Sequence, residues 1–335
     1  MYALFHPQHL TEETREKIKD FCALWEQGEN VKIKTSGSTG NPKELSFTKD
    51  QLIASAKKTL DYFSLNETCT ALLCLSPETI GGKMMLVRAI VANYKLLICE
   101  PTLDPFLNIS ESIDFVAMVP AQLACVLANE SSLEKLKKVN SILIGGADIH
   151  PDIIERLKEE GIRAFQSYGM TETVSHVALR EIGGDQDYCA LPGIHFTMNN
   201  DCLVIHYPAL QKSPIETNDC VELLSSTSFI WKGRADFVVN SGGKKIHVEA
   251  LEKRLTPFIH GRFILGAIPH ATWGEALIIL MEKENELDKT QLGKLFQKHE
   301  VPKYFCTAPF ILTENGKIQR RLTLAQIQEN EWISL

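Results

Sequence analysis

Over the first two-thirds of the chain, short apolar runs alternate with amphipathic segments. Ala71-Leu-Leu-Cys-Leu75, Leu96-Leu-Ile-Cys99, Phe115-Val-Ala-Met-Val119 and Ile142-Leu-Ile144 are continuous apolar stretches of strand length, the pattern of strands buried on both faces. Between them, residues 51–63, 82–93, 120–129 and 150–160 carry helical spacing, with Leu52, Ile53, Ala56, Leu60 and Phe63 on one face of the first. Thr48 and Gln51 form a capping-box pattern that opens this helix, and Pro120 and Pro151 stand where a first turn tolerates proline. Val31 and Ile33, then Leu45 and Phe47, alternate as two short strands around a polar loop. Strands alternating with helices predict an α/β architecture rich in parallel sheet.

From about residue 195 the texture changes. His195 to Tyr207 reads as two short strands around Asn199-Asn-Asp201, a hairpin signal. A strand-like Phe237-Val-Val239, a helix from about 248 and a further α/β run follow. We place a domain boundary at Asp236, giving a large domain over 1–235 and a small α+β domain over 236–335. A length of 335 residues suits one large and one small domain.

Composition narrows the function classes. With 44% hydrophobic and 23% charged residues the chain has ordinary globular composition. A net charge of −7 argues against a general nucleic-acid or anionic-membrane binder, so an anionic ligand needs local positive groups. The opening MYALFHPQHL lacks the basic and apolar regions of a signal peptide. The apolar stretch from Met84 to Cys99 is broken by Arg88, Asn93 and Lys95 and is too short to insert into a membrane. Nine dispersed cysteines without a C-x-x-C pair fit reduced thiols, and a cytoplasmic location is expected.

The most informative segment is Lys34-Thr-Ser-Gly-Ser-Thr-Gly-Asn-Pro-Lys43. Gly37 and Gly40 let backbone amides approach an anion; Thr35, Ser36, Ser38 and Thr39 supply hydroxyl donors, and Lys43 adds charge. The loop is not a Walker A motif, because Pro42 stands where that pattern requires glycine. By composition alone, a polar hairpin loop without a ligand is the competing reading.

This loop resembles the signature phosphate loop of the adenylate-forming superfamily of acyl-CoA synthetases, peptide-synthetase adenylation domains and luciferases. Four further segments match in order. Tyr168-Gly-Met-Thr-Glu172 resembles Y-G-x-T-E, and Thr217-Asn-Asp219 resembles T-G-D. Gly233-Arg-Ala-Asp236 with Ser241-Gly-Gly243 resembles the G-R-x-D hinge and glycine turn, and Asn315-Gly-Lys-Ile318 resembles the C-terminal G-K-I. The resemblance implies an enzyme that uses ATP and Mg²⁺ to activate a small-molecule carboxylic acid as an acyl-adenylate, releasing pyrophosphate, and then passes the acyl group to coenzyme A. It also implies that the small domain is mobile.

Carboxylate attack on the α-phosphate joins two anions, so positioning and electrostatic stabilisation must supply most of the catalysis. By the resemblance, Lys317 neutralises the developing charge, Thr171 contacts phosphate and Glu172 holds the metal. Loop 35–43, Gly145, Tyr168 and Gly169 line the nucleotide, and Asp219 and Arg234 fix its ribose. Asp236 is the hinge, and Gly242 and Gly243 border the route of the thiol. Singly, each has a plainer reading: Lys317 and Arg320 as a solvated basic patch, Asp219 as a turn residue, Glu172 as a first-turn acid.

Within the superfamily, Leu75 to Arg88, Val119-Pro-Ala-Gln-Leu123, Ile142-Leu-Ile-Gly-Gly-Ala147 and Gly161 to Glu172 are similar to the o-succinylbenzoate–CoA ligases of menaquinone synthesis. Such an acid is an aromatic dicarboxylate, and its second carboxylate needs a cation or strong donors; Arg88, Lys83 and His176 are the candidates. The chain departs from the family pattern in several places. The phosphate loop lies near residue 1, so the large domain is expected to be abridged at its N-terminus. Glu78-Thr79 replace an aromatic residue and a histidine, Glu44 and Asn218 replace glycines, and Val248 and Ala250 replace proline and glutamate. Competing readings are another aryl- or acyl-CoA ligase, an adenylation enzyme that loads a carrier protein, and a decayed nucleotide-binding protein. Thr79 stands where amino-acid-activating domains carry aspartate, which counts against that class. A homo-oligomer is left open.

Overall fold

A computed structural model describes residues 5–7, 10–34, 44–283, 289–312 and 318–335. The chain forms two compact units. The first comprises Met1–Thr197, Val204–Ile215 and Leu223–Ile230; the second comprises Met198–Leu203, Glu216–Glu222 and Trp231–Leu335.

The strands of the larger sheet are β1 (Phe5–Pro7), β4 (Thr70–Leu73), β5 (Lys95–Ile98), β6 (Phe115–Met118), β7 (Ser141–Ile144), β8 (Phe165–Gly169), β9 (His176–Glu181), β10 (Tyr188–Ala190), β11 (His195–Asn199), β12 (Cys202–His206), β13 (Ile215–Ser225) and β14 (Ser228–Arg234). Among the described residues their order is β1-β5-β4-β6-β7-β8-β9-β10-β14-β13-β12-β11. The pairs from β1 to β8 are parallel, and β9 returns antiparallel to β8, so the sheet is mixed. The parallel strands are the continuous apolar runs, and Leu72, Leu97, Val116 and Ile142 are fully buried in them. Strands β2 (Val31–Lys34) and β3 (Glu44–Phe47) pair separately and antiparallel, Val31 opposite Phe47.

Helices connect the parallel strands because a parallel crossover needs a long return. Helix α1 (Glu12–Gln27) precedes β2, and α2 (Lys49–Phe63) opens on the Thr48–Gln51 capping box expected from the sequence. Helix α3 (Ile80–Ala92) links β4 to β5. Helices α4 (Pro120–Ala128), α5 (Glu130–Leu136) and α6 (Pro151–Glu159) pack Leu123, Val126, Leu136 and Leu157 with Leu72, Leu97, Val116 and Ile142 in one core. The separate helix α5 goes beyond the sequence reading. Asn129 ends α4 and caps α5, its side chain accepting from Ser132 N at 3.2 Å.

The second unit holds β15 (Val238–Ser241), β16 (Lys244–His247), β17 (Phe263–His270), β18 (Gly274–Met281), β19 (Tyr304–Thr307) and β20 (Ile333–Ser334), with α7 (Val248–Leu255), α8 (Lys289–Leu295) and α9 (Arg320–Ala325). Its strands alternate by period two. Leu265, Leu277, Ile279 and Met281 pack with Leu251 and Leu255 of α7, whereas Ile264, Leu280 and Cys306 pack with Ile318 and Leu324. Strand β15 starts one residue later than the apolar run suggests. Ala235–Phe237 form a short 3₁₀ turn, across which Arg234 Nη2 bonds Asp236 Oδ2 at 2.8 Å.

Candidate active site

Parallel strands place their carboxyl ends together, which is where open α/β sheets bind ligands. In the first unit, β6 and β7 are paired up to Met118 with Ile144, and β7 and β8 up to Ile144 with Gln166. Gly145 follows at the end of β7, its amide donating to Met118 O at 3.0 Å. A Cβ on Gly145 would stand 2.7 Å from Ser167 Oγ, so glycine admits the neighbouring strand. Tyr168 lies half-buried on β8, its ring centroid 5.0 Å from that of Phe229 and 5.6 Å from that of Tyr188. At Gly169 the register with β9 shifts, and a Cβ there would lie 2.5 Å from Ser175 O and 2.6 Å from His176 Cα. Those atoms belong to the backbone, so only glycine fits.

Thr171 and Glu172 start a 3₁₀ turn over Thr171–Thr173, with Glu172 exposed. The next residue, Val174, is fully buried and has φ 67° and ψ −56°, a region that β-branched residues rarely enter. Ser175 then turns inward, and β9 begins at the buried His176.

Helix α3 explains why that direction matters. Met84, Met85, Leu86, Val87, Arg88 and Ala89 are six consecutive buried positions, so this helix is apolar around its circumference. Arg88 is the exception in chemistry, only 2% exposed. Its Nη2 donates to Ser175 Oγ at 3.0 Å and its Nη1 faces Met85 Sδ at 3.7 Å. Among the described residues no carboxylate pairs with it, and its buried Nε has no hydrogen-bond partner. Burial pushes the guanidinium down to about 10, opposed by the nearby Tyr94 phenol. Tyr94 Oη is also buried without a partner among the described residues.

The other two carboxylate candidates are placed differently. His176 is 7% exposed, with Nε2 3.2 Å from Thr59 Oγ1 and Nδ1 3.2 Å from Ser175 Oγ. Burial first, and the Arg88 charge second, hold its pKa well below the usual range, so the ring is neutral near pH 7. In that neutral form the ring offers a hydrogen-bond donor rather than a cation. Lys83 is half-buried, and its Nζ donates to Pro77 O at 3.1 Å and Glu78 O at 2.8 Å. Burial lowers its pKa, with Glu78 opposing. Thr79, singled out as a departure from the family pattern, caps α3 by accepting from Gly82 N at 3.2 Å. Ser175 and Thr59 were not among the sequence candidates. The only sequence signal is that Thr173 and Ser175 are polar residues immediately before an apolar strand.

The remaining candidates lie in the second unit. Asp219 is half-buried, and its Oδ1 accepts from Trp231 Nε1 at 3.2 Å. The Arg234 amide donates to Glu249 Oε2 at 2.5 Å. Although burial opposes it, the hydrogen bond to Asp236 and the charges of Asp219, Asp236 and Glu249 raise the Arg234 pKa. Asp236 Oδ1 also stands 3.8 Å from Arg321 Nη2. Gly242 and Gly243 have φ of 56° and 75° and form the two-residue turn between β15 and β16, a conformation that glycine adopts freely. The loop residues Thr35, Ser36, Gly37, Ser38, Thr39, Gly40 and Lys43, and the candidate lysine Lys317, lie outside the described residues.

The family model for AMP-binding enzymes matches residues 32–205, more than half of the chain. The chain belongs to the AMP-binding enzyme family. The match spans the segment from the glycine-containing stretch 35–43 through Tyr168–Glu172 into β12. A 2-succinylbenzoate–CoA ligase of Escherichia coli is 26% identical over 317 residues, covering 89% of this chain and 69% of the relative. Its counterpart in Staphylococcus epidermidis is 23% identical over 356 residues, covering 96% and 74%. Among solved structures, an AMP-forming acyl-CoA synthetase/AMP-acid ligase II-like protein of Dyadobacter fermentans is 34% identical, with a TM-score of 0.65 and 96% of each chain covered. An o-succinylbenzoate–coenzyme A synthetase of Bacillus subtilis, solved with ATP and magnesium, is 18% identical with a TM-score of 0.75, covering 88% of this chain and 69% of that one. This second likeness is one of fold. The mixed sheet flanked by helices is thus the architecture of AMP-forming ligases. Among the described residues no helix is long and apolar enough to cross a membrane.

Proposed function

We propose that this member of the AMP-binding family is an ATP-dependent acid–CoA ligase whose acid is an aromatic dicarboxylate of the o-succinylbenzoate type. The observation that carries the acid assignment is Arg88. A guanidinium taken out of water without a counter-ion is costly, and a carboxylate from outside the chain would supply what the described residues do not. The E. coli and S. epidermidis relatives, both 2-succinylbenzoate–CoA ligases, support the same acid.

In the proposed reaction, one substrate carboxylate oxygen attacks the α-phosphorus of ATP, and the bond to pyrophosphate breaks. The CoA sulfur then attacks the acyl carbonyl, loses its proton, and displaces AMP. Arg88 holds the second carboxylate and so orients the first. The exposed carboxylate of Glu172 suits Mg²⁺, which binds through one or two carboxylates plus phosphates and water, and which here would offset phosphate charge. Asp219 and Arg234 are assigned to the ribose, Thr171 and loop 35–43 to the phosphates, and Lys317 to the transition-state charge. The support for these roles is the order of the sequence motifs. The same motifs make Asp236 the hinge of the small domain and place Gly242 and Gly243 beside the thiol's route.

The test is incubation with ATP, Mg²⁺, CoA and o-succinylbenzoate, scored for AMP and thioester by mass spectrometry. Both products are expected. AMP without thioester would point to another acceptor, and no AMP would rule out this acid. A panel of other aryl and acyl acids belongs in the same experiment, to separate this acid from the wider acyl-CoA synthetase class to which the 34%-identical Dyadobacter fermentans protein is likened.

A further inference from the structure

Arginine has five N–H donors and no acceptor, which fixes the direction of the hydrogen bonds around Arg88. Its Nη2 donates to Ser175 Oγ at 3.0 Å. Having accepted there, the Ser175 hydroxyl is able to send its own proton to His176 Nδ1, 3.2 Å away. Nδ1 then accepts, so the neutral ring carries its proton on Nε2 and donates it to Thr59 Oγ1 at 3.2 Å. This tautomer is assigned from the network. The chain Arg88–Ser175–His176–Thr59 thus runs in one direction from α3 to α2.

The backbone fixes Ser175 from the other side. Ser175 N donates to Thr173 O at 2.8 Å across Val174, a γ-turn of the rare positive-φ form. Thr173 is fully buried, and its hydroxyl ties the turn together by accepting from Met170 N at 3.0 Å and facing Ser175 O at 2.6 Å. A buried β-branched residue in this conformation is strained, and such strain persists where the surroundings over-determine it, often beside functional sites.

We propose that Ser175 is a positioning residue that sets substrate selectivity. It grips one edge of the Arg88 guanidinium and orients the remaining donors, Nε among them, toward the second carboxylate of the acid. The inference rests on the reading of Arg88 as the carboxylate-binding residue. It assigns to Ser175, and through it to His176 and Thr59, a role in choosing dicarboxylic over monocarboxylic acids.

The test compares Ser175→Ala and Ser175→Thr with the unaltered enzyme, using pyrophosphate release from o-succinylbenzoate and from the monoacid 4-oxo-4-phenylbutanoate. Loss of one charge-assisted hydrogen bond should raise the KM of Ser175→Ala for the diacid about tenfold. The KM for ATP and the kcat/KM for the monoacid should hold, and threonine, which keeps the hydroxyl, should restore most of the diacid affinity. Equal losses with both acids would mean a merely structural role and overturn the inference, as would an unchanged diacid KM. Should the unaltered enzyme fail with o-succinylbenzoate, the acid assignment falls and this inference with it. Activity there, with unshifted selectivity in Ser175→Ala, removes this inference alone.

Discussion

Arg88 in the first unit and Arg320 in the second are both withdrawn from water, with 2% of the one residue and 13% of the other side chain exposed. The fold treats them in opposite ways. Arg320 meets Glu252 through two parallel bonds, Nη1 to Oε1 at 2.6 Å and Nη2 to Oε2 at 2.7 Å. Its Nη1 also donates to Leu265 O at 2.6 Å, and the guanidinium lies 4.9 Å from the Phe237 ring centroid. Burial works against its charge, yet the charge of Glu252 and the bonds to it raise the Arg320 pKa. Arg88 has a serine hydroxyl and a thioether, and burial pushes it down to about 10. One arginine is neutralised from within the chain. The other has no counter-ion among the described residues, which is the contrast that the proposed carboxylate-binding role of Arg88 rests on.

Breaking the internal pair should have the largest effect. Glu252→Gln leaves Arg320 buried without its counter-ion, and a loss of about 3–5 kcal/mol is expected in urea unfolding. Replacing both partners by apolar residues, Glu252→Leu with Arg320→Met, should recover most of that loss, because a buried pair gains little over a well-packed apolar one. A loss below about 1 kcal/mol in Glu252→Gln would mean that water screens the pair as it does on surfaces.

Arg88→Met tests the other side of the contrast. Its fold stability should stay within about 1 kcal/mol of the unaltered protein or rise, since an unpaired charge gives way to an apolar side chain. The kcat/KM for the diacid should fall by about 100-fold, the range expected for a lost hydrogen bond to a charged group. Activity with the monoacid and the KM for ATP should change little. If Arg88→Met unfolds the protein as readily as Glu252→Gln does, the two arginines do the same work and the contrast fails.

The sequence shows these regions unevenly, for physical reasons. The parallel strands are legible because strands buried on both faces are continuous apolar runs, as at Phe115–Met118. The turn at Gly242-Gly243 is legible because two successive positive φ values call for glycine. Helix α3 reads as a helix, but nothing in its spacing shows that Arg88 is as buried as Met84. Arg320 invites a solvated reading beside Lys317, and its partner Glu252 lies 68 residues away, beyond any local pattern. Ser175 is the least legible. Its position depends on a positive φ at Val174, a residue type that avoids that region, so tertiary packing overrides local preference there.

The smallest expected effect is a pH dependence confined to the Arg88 side of the comparison. His176 is held neutral by burial and by the Arg88 charge, so its folded pKa lies below that of the unfolded chain. As pH drops beneath the unfolded value, about 6.5, the unfolded chain takes up a proton that the folded one refuses. The stability tied to this histidine is therefore present above about pH 6.5 and is lost as pH falls toward its depressed folded value. His176→Gln, which keeps hydrogen-bonding capacity without a titrating ring, should flatten that slope. Between pH 6.5 and 5.5 the unaltered protein should lose about 1 kcal/mol more than the variant in urea titrations. His247 is half-buried and also lowered, chiefly by burial, but it is present in both proteins and cancels in the difference. Parallel stability curves would mean that His176 takes up its proton in the folded state, placing a second cation beside Arg88. The imidazole would then return as a ligand for the substrate carboxylate, and Ser175 would lose the acceptor that orients it.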